Sequence, residues 1–104
     1  MAMLLDFQRL RTFTDGDPRL EAELLDLFVA TAARYLGDLA QAVDHGETWR
    51  SAAHSLKGAA GNIGAVAMAE LAAAAERAAP DPALLAALEA TFARTRATVT
   101  AHVG

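Results

Sequence analysis

Helix breakers divide this chain at four places, and almost nothing between them resists a helix. The prolines are Pro18, Pro80 and Pro82. Thr14-Asp15-Gly16-Asp17-Pro18 reads as a turn, with Asp17 as N-cap and Pro18 as the first helical residue. Asp81-Pro82 repeats that signature, while His45-Gly46 and Gly64 mark two further breaks. The intervals predict helices over about 4–13, 19–44, 47–62, 65–79 and 82–102. Alanine and leucine dominate them, whereas β-branched and aromatic residues are few. There is no strand pattern, internal repeat or disordered linker. Short connections favour antiparallel neighbours, so the expected fold is all-α: a single domain over residues 1–104, with helices two to five in an up-and-down four-helix bundle and the short first helix across one end. The second helix should bury Leu20, Leu24, Leu27, Phe28, Tyr35, Leu36, Leu39 and Val43, and the fifth Leu85, Leu88, Phe92 and Val99.

Composition closes off several classes of function. The formal charge is −4 with no run of Lys or Arg, which disfavours nucleic acid. Cysteine is absent, and with it disulfides, thiol catalysis and Cys-based zinc sites. The alanine-rich stretch from Leu71 to Pro80 contains Glu76 and Arg77, so it does not read as a membrane span. Met1 to Phe7 lacks the basic and apolar regions of a signal peptide, which makes a soluble cytoplasmic protein the expectation. No His, Asp or Glu set falls in a helical metal pattern, so no metal is expected. Phosphate-binding glycine loops and a Gly-x-Ser-x-Gly elbow are missing too.

The informative stretch is WRSAAHSLKGAAGNIGA, Trp49 to Ala65. At 100° per residue, Trp49, Ala52, Ala53, Leu56, Ala59, Ala60 and Ile63 cluster within about 60° of one direction, the core face. His54 falls roughly 160° from the centre of that face, and Gly58 and Gly61 share its outer side. Two glycines inside a helix each sacrifice about 1 kcal/mol relative to alanine. On the wet face they leave the imidazole without neighbours on one side, open to another protein's active site. A neutral imidazole is a nucleophile near pH 7. Lys57, three residues on, can meet the charge of a phosphoryl group. Other readings of the same residues are a solvated histidine and, for the glycines, close approach of a neighbouring helix. Arg50, one turn before His54, reads equally as a phosphate or partner contact and as a plain surface residue.

AHSLKGAAGNIGA, Ala53 to Ala65, closely resembles the signature of histidine-containing phosphotransfer (HPt) domains: His-x-x-Lys-Gly followed by Gly-x-x-Gly. Asp17-Pro18, the Leu/Phe stripe, His45-Gly46 and Trp49 fall in register with it. The resemblance implies a four-helix bundle that carries a phosphoryl group on Nε2 of His54 in a phosphorelay. Lys57 would stabilise the phosphate and Gly58 would give access, with Gly61 and Arg50 as partner contacts. It further implies exchange with receiver domains of response regulators or hybrid histidine kinases. The receiver brings its own aspartate and magnesium, so the carrier needs no cofactor and has no ATP-dependent kinase activity of its own. Polar outer faces suggest a monomer.

Family members often place a polar residue of the next helix near the histidine, and by register that could be Glu76. A carboxylate there could orient the ring through Nδ1–H but would repel a phosphate. Glu76 is therefore left outside the core site, with a solvated charge beside Arg77 as the other reading. His45 and His102 are expected to be solvated. The rival functions are the phosphoacceptor domain of a chemotaxis-type kinase, which carries the same His-x-x-Lys-Gly, and a receiver-docking module without chemistry. That the sequence ends at Gly104 with no second domain favours a stand-alone carrier over the first.

Overall fold

The computed structural model describes residues 3–103; Met1, Ala2 and Gly104 lie outside it, and with them the first two residues of the segment read for a leader. The elements are α1 (Phe7–Thr14), α2 (Pro18–Gln41), α3 (Gly46–Ile63), α4 (Val66–Arg77) and α5 (Pro82–Val103). Asp17 caps α2 as its sequence implies, its carboxylate accepting from the backbone N–H groups of Arg19 and Leu20. Asp81 does the same for Ala83 at the start of α5. The first helix starts later than expected, because Asp6 serves as its N-cap, accepting from the N–H of Gln8 and Arg9. The second stops at Gln41 rather than 44, where Ala42 leaves helical geometry and bonds back to Leu39.

Helices α2 to α5 close a ring in which α2 and α4 each pack on both α3 and α5. The first helix lies over one end of that ring, held through backbone: the Asp6 N–H donates to the Gly64 carbonyl at 2.8 Å and the Ala67 N–H to Met3 at 3.0 Å. Arg9 Nε adds a 2.8 Å bond to the carbonyl of Gly61, near the end of α3. Leu5 and Leu10 plug the core there. Of the core face that periodicity predicts for α3, Trp49, Ala52, Ala53, Leu56, Ala60 and Ile63 are buried and Ala59 is half-buried.

In α2 the register differs from the expected stripe. Leu25, Phe28, Ala32, Leu36 and Leu39 point inward, whereas Leu20 and Leu27 are exposed, Leu27 by 63%. Leucines at 20, 24, 25 and 27 form an apolar band wider than one helix face can bury, so hydrophobicity alone does not choose among them. In α5, Leu88 and Val99 are buried and Leu85 and Phe92 are half-buried. Buried Thr95 completes that face, its hydroxyl donating to the Thr91 carbonyl.

Gly64 terminates α3 in the left-handed region, at φ +83°, and a Cβ there would sit 2.9 Å from the Asp6 carbonyl oxygen. A Cβ on Gly58 would meet nothing within 4 Å. Alanine substitutions at these two sites should therefore act in opposite directions. Gly64→Ala should cost about 2 kcal/mol from backbone strain and a displaced α1. Gly58→Ala should be neutral or stabilise by up to about 1 kcal/mol. Urea denaturation midpoints of the two variants measure both effects, and a destabilised Gly58→Ala would contradict the open face.

Candidate functional site

Trp49 sets the relation between α3 and α4. Its ring is fully buried, and its indole N–H donates to the Ala75 carbonyl at 2.8 Å. Buried alanines occur on both helices, Ala53 and Ala60 on α3, Ala72 and Ala75 on α4. Helices meeting through alanine approach closely, which brings Glu76, next to Ala75, within reach of the outer face of α3.

His54 stands mid-helix on that face with its side chain 68% exposed. Its Nδ1 lies 2.7 Å from Glu76 Oε2, and Lys57 Nζ lies 2.6 Å from Glu76 Oε1. One carboxylate thus joins the imidazole and the lysine through separate oxygens. An ionised carboxylate only accepts, so the imidazole proton belongs on Nδ1 and the Nε2 lone pair faces outward. Beyond His54 the surface is bare, because added Cβ atoms at Gly58 and Gly61 would meet nothing. Gly61 is nevertheless half-buried, because Arg9 of α1 binds its carbonyl, whereas Gly58 is exposed. Arg50 is exposed and makes no ion pair among the described residues.

Glu76 therefore belongs with His54 and Lys57, contrary to the sequence expectation. The repulsion argument weighed its charge alone and left out the lysine that compensates it. A signal was present: with Met68, Ala72 and Ala75 facing inward, Glu76 falls at the edge of the buried face of α4 rather than opposite it. His102 is exposed, as expected, but it has a partner. It pairs through Nε2 with the carboxylate of Glu21, which is 7% exposed, and its ring lies 4.4 Å from that of Phe7. The start of α1, the first turn of α2 and the end of α5 meet in this cluster. His45 is an exposed residue at the start of α3, as expected.

Between α2 and α3 lie two surface depressions that the sequence reading missed. One, about 220 Å³, is apolar and lined by Phe13, Leu24, Leu27, Phe28, Ala59 and Ile63. The other, about 700 Å³, is of mixed polarity, with Asp38, Glu47, Ser51 and Ser55 among its walls. Placing Leu27 in the core had hidden the apolar one.

The hydrogen bond from Lys57 and, second to it, that from His54 hold the Glu76 carboxyl below the usual carboxylate range, against a smaller opposing effect of burial. A depressed folded value means stabilisation that is present above the ordinary carboxylate range and lost as pH falls through the folded value. A carboxyl-detected NMR titration should find Glu76 ionising below an ordinary glutamate, and Lys57→Ala should move it upward. An unchanged titration in that variant would remove the lysine from the cluster.

Among the described residues no helix is long and apolar enough to cross a membrane. No curated protein sequence matches the chain significantly. Among solved structures, the crystal structure of histidine-containing phosphotransfer protein B (HptB) from Pseudomonas aeruginosa PAO1 is similar, at 29% identity and a TM-score of 0.89, covering 99% of this chain and 96% of that one. Residues 23–98 match the family model of the Hpt domain. That span runs from the first turns of α2 into α5 and includes His54, Lys57, Gly58 and Glu76, so the chain belongs to the Hpt domain family, the histidine-containing phosphotransfer domains.

Proposed function

We propose that this domain carries a phosphoryl group on Nε2 of His54, accepting it from one phospho-aspartyl receiver or a kinase and passing it to another receiver. The observation that carries this reading is the arrangement at His54: Nδ1 bound to Glu76, Nε2 turned outward, and open surface over Gly58. Binding Nδ1–H to a carboxylate fixes the tautomer and increases the electron density at Nε2, as required of a nucleophile. Lys57 is 40% exposed and reaches Glu76 from one turn away, so it can turn from the carboxylate to an incoming phosphoryl group. The phosphoryl dianion offers three oxygens and more charge.

The receiver supplies the rest. Its aspartate and magnesium position and polarise the phosphoryl group, so the carrier needs neither a metal nor an ATP site. The apolar depression between α2 and α3, with exposed Phe13 and Leu27 in its wall, supports docking of a receiver over the α2–α3 side. Isolated apolar residues are ordinary on a surface, but two large ones lining one depression suit a transient partner. The reading places the domain in the cytoplasm, where receivers act.

Incubation with a phosphorylated receiver should label the protein, and the label should be lost in acid and kept in alkali, as for a phosphoramidate. His54→Gln should abolish labelling with helical content intact. Lys57→Ala should slow transfer while leaving stability within about 1 kcal/mol, as expected of an exposed ion pair. ATP alone should give no label. Label that persists in His54→Gln, or arises from ATP with no kinase added, would contradict the reading.

A further inference from the structure

Glu76 holds both His54 and Lys57 in the resting domain, and phosphorylation must disturb that sharing. In the loading step the Nε2 lone pair attacks the phosphorus of an aspartyl phosphate. The P–O bond to the carboxyl breaks, and its electron pair leaves with the aspartate as a carboxylate. The new N–P bond leaves a phosphoimidazolium ring that still bears its Nδ1 proton. In unloading a carboxylate oxygen of the acceptor aspartate forms the new P–O bond, the N–P bond breaks and its electron pair returns to Nε2, so the departing group is neutral imidazole. If Nδ1 lost its proton in between, the departing group would be an imidazolate, a far more basic and poorer one.

We propose that Glu76 keeps the Nδ1 proton on the ring through the phosphorylated state, holding phosphohistidine 54 in its transferable form; this rests on the reading of His54 as the phosphoryl carrier. The geometry supplies the means. Glu76 Oε2 is 2.7 Å from Nδ1, and a carboxylate at that distance favours the charged ring. In the resting domain the carboxyl ionises below the ordinary carboxylate range, held there by the hydrogen bonds from Lys57 and, second to it, His54. When Lys57 turns to the phosphoryl oxygens, the charge it neutralised is left to the ring alone, so the coupling strengthens as the phosphoryl group arrives. Other charged or titratable groups on α3 and the helices packed against it include Arg50 on α3, Arg77 beside Glu76 on α4, and Tyr35 and Asp38 on α2. Among the described residues, none of these four is hydrogen-bonded to the ring. Glu76 is a positioning residue here: it acts through His54 and does not touch the reacting phosphorus.

The test uses the intact chain and its Glu76→Gln variant, both charged at His54 with phosphoramidate. Glutamine preserves shape and can still accept from Nδ1–H, but it removes the charge. Two quantities are followed against pH: the ring nitrogen shifts of the phosphorylated histidine by NMR, and the rate of phosphohistidine hydrolysis, which likewise requires the protonated ring. The ring of the variant should titrate at a pH lower by about one unit, with the fall in hydrolysis moving with it. At pH above both midpoints the variant should lose its label about tenfold more slowly. A structural role alone would leave the ring titration in place. Coincident titrations with His54 charged would overturn this inference and spare the carrier reading, whereas failure of phosphoramidate to charge His54 at all would overturn both.

Discussion

The indole N–H of Trp49 reaches across the core to the Ala75 carbonyl, and the surface chemistry of the domain depends on that bond. It locks the register of α3 against α4 from inside, in a layer of buried alanines. Shifting α4 by one residue would turn Glu76 about 100° away from His54. A bulky residue at Ala72 or Ala75 would part the helices and open the 2.7 Å and 2.6 Å contacts at the surface. The Ala-rich composition that makes the chain helical thus also allows two helices to lie close enough for one carboxylate to serve two side chains.

That arrangement divides the work between core and surface. The core face of α3 fixes the helix, and its outer face offers a nucleophile with as little protein around it as possible. Gly58 and Gly61 sacrifice helix stability on that face, while Gly64 is needed for the fold itself by its positive φ and by the approach of Asp6. Glycines six residues apart in one motif therefore answer to different demands, access at Gly58 and chain geometry at Gly64. Glu76 and Lys57 balance each other's charge until a phosphoryl group competes for the lysine.

Much of this was legible in the sequence. The breakers gave five helices in the right places, because Asp-Pro caps and glycine stops act locally. The 3.6-residue period of Trp49 to Ile63 separated core from surface and placed His54, Gly58 and Gly61 outside. What the sequence hid were relations between helices. Leu27 and Leu25 have the same apolarity, and only the packing of the bundle selects Leu25 for the core. His102 finds its partner on another helix 81 residues away, where no local pattern can reach, whereas the register of α4 did bring Glu76 near His54 and only its place in the site was missed. The error over Glu76 came from weighing one charge pair when three groups meet.

The central claim is that Glu76 holds the His54 proton on Nδ1 so that Nε2 is free to react. Long-range 1H–15N correlation spectra of the resting protein near neutral pH read the tautomer directly. The account predicts the Nδ1–H form for His54, with Nε2 carrying the chemical shift of an unprotonated ring nitrogen. An Nε2–H tautomer, or an even mixture of the two that Glu76→Gln leaves unchanged, would contradict it.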